Sequence, residues 1–146
     1  MALLLIVLAA CGLEEKNPNN ATIDESVLPN VMLTISNESY NMMQGSYKWT
    51  VEGRKKGEQT TTIADAVSPN QVLTKGELTT IAKSETLNLQ FTVEPDRCEL
   101  YGWYEDGSKL RVDDLEQLKG DEPVAIEVFA YYPQGHASYV LPVQFE

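Results

Sequence analysis

Val124-Ala-Ile-Glu-Val-Phe-Ala-Tyr-Tyr132, then Pro133-Gln-Gly-His136, then Ala137-Ser-Tyr-Val-Leu-Pro-Val-Gln-Phe145, is the stretch that decides the fold. Val124, Ile126, Val128 and Ala130 alternate with Ala125, Glu127, Phe129 and Tyr131. After the turn, Ala137, Tyr139, Leu141, Val143 and Phe145 hold every second position. A period of two sends successive side chains to opposite faces of a strand, so the stretch reads as a hairpin with one face in a core. The same period recurs upstream in Val31, Leu33 and Ile35, in Tyr47, Trp49 and Val51, and in Leu87, Leu89, Phe91 and Val93. Turn residues separate the runs. Asn37-Glu38 precedes a short strand around Tyr40, Gly53-Arg-Lys-Lys-Gly57 makes a loop, and Asp106-Gly107 joins Tyr101-Gly-Trp-Tyr104 to Lys109-Leu-Arg-Val112 as a hairpin.

Helix signals are few. Residues 113–120 have room for one or two turns stopped by Gly120 and Pro123, and residues 62–68 have no clear period. Short strands with turns between them predict an all-β fold: an antiparallel immunoglobulin-like β-sandwich of seven or eight strands over residues 31–146. Pro142 in the last strand predicts an edge position there, or an N–H that no ladder needs.

The first residues read as an address. Residues 2–10 are uncharged and apolar, and nine helical residues rise only about 14 Å against a bilayer core of about 30 Å. They fit the apolar part of a secretory signal (1–10) better than a membrane span. No Lys or Arg precedes Cys11, so the expectation is that the signal's cationic start lies upstream. Leu8-Ala-Ala-Cys11-Gly12 resembles the lipobox of bacterial lipoproteins. That resemblance implies a lipid on the Cys11 thiol, cleavage before Cys11, and a membrane-anchored protein on the extracytoplasmic side. Residues 11–30 hold two Pro and four Asn with few large apolar residues, which is linker composition.

Gly45-Ser-Tyr-Lys-Trp49, Asp65 and Pro69, Leu89-Gln-Phe-Thr-Val-Glu-Pro95, and Gly135-His-Ala-Ser-Tyr139 carry a second resemblance. Residues 31–146 are similar to the ectodomain of uncharacterised lipoproteins of Gram-positive, Bacillus-like bacteria. The resemblance implies a β-sandwich and no assigned reaction.

Charge narrows the function. Eleven Lys+Arg against 22 Asp+Glu give a net charge of −11, which opposes nucleic acid and predicts repulsion of anionic polymers. One His and two Cys supply no zinc cluster and no choice of bases for a triad, and no cofactor is implied. His136 reads as a solvated loop residue. Cys98, among Glu94, Asp96 and Glu99 with only Arg97 in opposition, reads as an inert, small apolar residue. Asp113, Asp114 and Asp121 are candidates for a cation site but lack a calcium loop's spacing. Arg54-Lys55-Lys56 reads as an exposed tip.

Trp103, Tyr104, Tyr131 and Tyr132 are the candidate binding residues, since exposed Tyr and Trp favour recognition. The expectation is a tethered, non-enzymatic binding module for a protein or envelope polymer. A metal-assisted hydrolase using acidic loop residues and a purely structural surface protein are the alternatives.

Overall fold

The computed structural model describes residues 27–146; the signal-like segment, Cys11 and most of the linker lie outside the described residues. The strands are β1 (Val31–Ile35), β2 (Glu38–Asn41), β3 (Met43–Glu52), β4 (Gln59–Ala64), β5 (Thr79–Ile81), β6 (Leu87–Phe91), β7 (Arg97–Trp103), β8 (Lys109–Val112), β9 (Val124–Tyr132) and β10 (Gly135–Phe145). Helix α1 (Pro69–Lys75) separates β4 from β5, and a 3-10 turn (Leu115–Leu118) separates β8 from β9.

The deciding stretch forms the hairpin its period predicts, with β9 and β10 paired antiparallel from Val124↔Val143 to Tyr132↔Gly135. This hairpin is the middle of the larger sheet, ordered β4-β3-β10-β9-β7-β8, with β5 added parallel to the end of β10. The smaller sheet is ordered β2-β1-β6. Val31, Leu33 and Ile35 of β1 and Leu87 of β6 pack with Val124, Ile126, Val128, Tyr139, Leu141, Val143 and Phe145 in a single core cluster. Removing each such side chain from water contributes about 1.5–3 kcal/mol, which holds the sheets face to face as a β-sandwich.

Among the described residues the strands number ten rather than seven or eight, because β4 and β5 have no apolar alternation to announce them. Gln59-Thr-Thr-Thr-Ile-Ala64 is exposed at its first five positions, and β5 is only three residues long. Helix α1 is set by Pro69 at its start and Gly76 just beyond its end. It buries Leu73 against Ala125 and Val140, on the side of the large sheet that faces away from the smaller one.

Strand β10 lies inside the sheet, not at its edge, so of the two expectations for Pro142 the edge position fails and the unneeded N–H holds. Opposite β9, β10 pairs with β3 as far as Val140 and with β5 from Val143. Pro142 falls in the gap between these two neighbours, where its missing N–H costs no ladder bond.

Two glycines are demanded by geometry. Gly107 adopts φ +83° in the turn predicted between β7 and β8, closed by Gly107 N–H to Tyr104 O at 2.9 Å. At Gly135, φ +150°, a Cβ would lie 2.0 Å from the Lys48 carbonyl oxygen.

Asp114 shapes the approach to β9. Its carboxylate accepts from the Glu116 N–H at 2.9 Å, while Gln117 Oε1 accepts from the Asp114 N–H at 3.1 Å, a reciprocal cap on the 3-10 turn. Leu115 and Leu118 of that turn are buried, so Asp114→Ala is expected to lower stability by about 1 kcal/mol in urea denaturation.

Candidate functional site

Directly opposed residues on paired strands share a face, so the registers define what the outside of the large sheet presents. One row runs Ile63 on β4, Lys48 on β3, His136 on β10, Tyr131 on β9 and Arg97 on β7. Ser138, Phe129 and Glu99 make a second row. Val140, Glu127, Tyr101 and Arg111 make a third, and Ala125, Trp103 and Lys109 a fourth. The fourth row is covered in part by α1, since Trp103 packs with Leu73, Ala125 and Val140.

Five rings therefore lie on one outer face. Phe129 stacks on His136 at 5.1 Å between centroids, Tyr131 lies 5.1 Å from Phe129, and Tyr131 and His136 are 6.2 Å apart. Basic side chains sit on rings: the Arg97 guanidinium is 3.5 Å from the Tyr131 centroid, and Lys109 Nζ is 4.4 Å from Tyr101 and 5.0 Å from Trp103. All five rings are half-buried.

Two carboxylates lie among these groups. Glu99 accepts from the Tyr101 hydroxyl at 2.9 Å, from Arg97 Nη1 at 3.3 Å and from the Tyr131 hydroxyl at 3.4 Å, with Arg111 Nη2 at 3.7 Å. The Tyr101 hydroxyl, with help from Arg111 and Arg97, holds the Glu99 carboxyl below its ordinary range, so it stays charged. Burial raises Tyr101, and its bond to Glu99 adds to the effect. Glu127 is buried and accepts from Trp103 Nε1 at 2.7 Å.

Trp103 and Tyr131 thus belong to this face, but Tyr104 and Tyr132 do not. Tyr132 is buried in the core, edge-on to Trp49 at 5.4 Å, and Tyr104 packs against the core cluster. Each is the chain neighbour of a residue on the outer face, and the pleat sends it inward. His136 is a strand residue stacked on Phe129, not a solvated loop residue. Cys98 is half-buried opposite Ala130 and is not a free thiol, so it is unreactive as expected, but through an engaged sulfur rather than as a plain small apolar side chain.

Asp114 is used as a cap and Asp121 pairs with Lys83, which holds its carboxyl low, while Asp113 is exposed. Among the described residues no three His, Cys, Asp or Glu are grouped to hold a metal ion. Arg54, Lys55 and Lys56 form the exposed turn between β3 and β4, as predicted. A cleft of about 380 Å³ opens on the inner side of β3, lined by Val27, Leu28, Tyr47, Trp49 and Val51 among others.

The sequence does not mark Lys48, Lys109, Arg111 or Phe129 as site residues, and it offers His136, Tyr101, Arg97 and Glu99 only as a loop residue, a hairpin aromatic and the neighbours of Cys98. The signal for Phe129 was present: the outward positions of β9 are Ala125, Glu127, Phe129 and Tyr131, where a solvated face carries small polar residues. The basic residues come from three separate strands, and only the strand order joins them.

No helix among the described residues is long and apolar enough to cross a membrane. Comparison of the chain with protein-family models, with curated proteins and with solved structures finds no match.

Proposed function

We propose that this protein is an extracytoplasmic binding module, tethered to the membrane by a lipid on Cys11, whose recognition surface is the outer face of the large sheet. One observation carries the binding role: five half-buried rings share a single outer face, bracketed by basic side chains. Rings of this kind bring large contact area at low conformational cost, because each has only two side-chain torsions to fix. The tether rests on Leu8-Ala-Ala-Cys11 and on the linker composition that follows it. Anchoring raises the concentration of the module beside whatever the envelope presents.

The tether and the face are tested separately. Mass spectrometry of the native protein should find an acylated N-terminal Cys11, and Cys11→Ser should move the protein from the detergent phase to the aqueous phase. An uncut, unacylated chain, or a disulfide joining Cys11 to Cys98, overturns the tether. For the face, co-sedimentation with isolated cell-envelope material should weaken several-fold in Phe129→Ser/Tyr131→Ser, with the β-sheet circular dichroism retained. Equal sedimentation of parent and variant overturns the binding role of this face.

A further inference from the structure

We infer that the outer face of the large sheet binds an acidic polysaccharide, laid across the strands along the row Lys48, His136, Tyr131 and Arg97. The inference rests on the reading of this face as the recognition surface, and it names the ligand class.

Charge sorting is the first observation. In a chain of net charge −11, strands β3, β7 and β8 place Lys48, Arg97, Lys109 and Arg111 on one face. The carboxylates that β7 and β9 place among them, Glu99 and Glu127, are both engaged by internal donors. The Glu99 side chain is 18% exposed, whereas those of Arg97 and Arg111 are 60% and 65% exposed. One sheltered negative charge beneath two guanidiniums leaves a positive excess turned to solvent. Charges elsewhere on the molecule act weakly here, because at physiological salt the screening length is about 8 Å. The repulsion of anionic polymers expected from net charge is thereby reversed locally.

The second observation is how the cations are held. Arg97 lies on the Tyr131 ring, and Lys109 lies over Tyr101 and Trp103. A ring steadies a cation without neutralising it, so charge and N–H donors stay available. Holding them in place beforehand lowers the ordering cost of binding.

The third is the shape of the row. Lys48 and Arg97 stand three strand spacings apart, about 14 Å at 4.8 Å each. Between them lie His136 and Tyr131, with Phe129 packed against both. A cation, two rings and a second cation in line suit a linear chain whose sugars lie along the exposed ring edges while carboxylates reach the ends. Arg111 and Lys109 on β8 extend the cationic side of the path.

The test uses the full chain and polygalacturonate as probe, followed by Trp fluorescence, with dextran as the neutral polymer and oligo-dT as the nucleic-acid arm. Polygalacturonate should bind, more weakly as salt rises, and dextran should not. Arg97→Gln/Arg111→Gln should weaken binding at least about tenfold. Lys48→Gln/Lys109→Gln, which leaves Glu99 and its guanidiniums in place, should weaken it in the same direction. Lys55→Gln/Lys56→Gln, which removes equal charge from the β3–β4 turn, should leave it within about twofold.

Equal binding of dextran, equal weakening by the turn variant, or tighter binding of oligo-dT overturns the inference. Envelope sedimentation separates its failure from that of the broader reading. If that sedimentation is lost in Phe129→Ser/Tyr131→Ser but kept in Arg97→Gln/Arg111→Gln, the face stands and the acidic ligand falls. If both variants sediment like the parent, both fall.

Discussion

Phe145→Ala is expected to lower the thermal midpoint by roughly 10–20 °C, from a loss of about 3–5 kcal/mol. Phe145 is the last residue of β10, and the end of a strand frays where it lacks partners. Here it is 2% exposed and belongs to the core cluster. Its strand is fixed on both sides at this end, by β9 through Val143↔Val124 and by β5 through Phe145↔Ile81. Backbone bonds continue past it: the Glu146 N–H donates to Ile81 O, and the Lys83 N–H donates to Glu146 O. With the strand clamped, the space left by the ring cannot close by a backbone shift, so the cavity adds to the lost transfer energy. Gln144→Ala is the control. That side chain points the other way and donates to the Asp121 and Phe145 carbonyls, so its loss should cost about 1 kcal/mol or less. Thermal melts followed by circular dichroism separate the two. A shift of only a few degrees for Phe145→Ala would mean that the terminal strand frays and that the core ends short of it.

Period-two patterning makes the core strands legible in the sequence alone. The inward set of β9 and β10 in the structure is the one the sequence gives: Val124, Ile126, Val128 and Ala130, then Ala137, Tyr139, Leu141, Val143 and Phe145. The Asp106-Gly107 turn was equally plain, because few residues accept the positive φ it requires. β4 was hidden for the opposite reason. Its threonines are exposed on both faces of an edge strand, so no burial pattern was imposed on them. α1 was hidden because seven residues with two buried positions, Pro69 and Leu73, are too few to make a helical period.

The face itself was half legible. Alternation separates Trp103 from Tyr104 without saying which points inward, whereas in β9 the inward run Val124, Ile126, Val128 and Ala130 already sets Tyr131 on the outer side and Tyr132 on the inner. For Trp103 and Tyr104 the choice is made by the partner sheet. The side of the large sheet that meets β1 and β6 takes Tyr104, and the other side keeps Trp103. Lys48 and Arg97 are 49 positions apart in the chain and share a row only because β10 and β9 lie between β3 and β7. Non-consecutive strand order of this kind leaves no local mark in a sequence, so a cationic face can form in a chain whose net charge points the other way.

Between pH 10 and 12 the protein is expected to lose on the order of 3 kcal/mol or more of stability, through Tyr139 and Tyr132. Burial pushes the Tyr139 hydroxyl up to about 12 from its ordinary 10.0, and burial pushes Tyr132 higher still. Above pH 10 these two hydroxyls ionise in the unfolded chain while the native core keeps both protons. The unfolded state then binds fewer protons than the native one, so the free energy of unfolding falls as pH rises. The contribution is intact below pH 10, and Tyr139 alone accounts for about 2 kcal/mol of loss by pH 12. At neutral pH the two residues should part company. The Tyr139 hydroxyl donates to the Pro29 carbonyl at 2.6 Å, in the buried place where the linker meets the core. Tyr139→Phe removes that bond and leaves a buried carbonyl short of a donor, at a cost of about 1–3 kcal/mol. The Tyr132 hydroxyl is buried beside that of Tyr139 but makes no hydrogen bond of good geometry, so Tyr132→Phe should cost less than Tyr139→Phe, about 1 kcal/mol or less. Urea denaturation at pH 7 and pH 11.5 measures both effects, and each variant should also flatten the alkaline decline. A decline of equal slope in the parent and both variants would assign the loss to exposed groups. A harmless Tyr139→Phe at pH 7 would mean that the core does not hold the end of the linker through this bond.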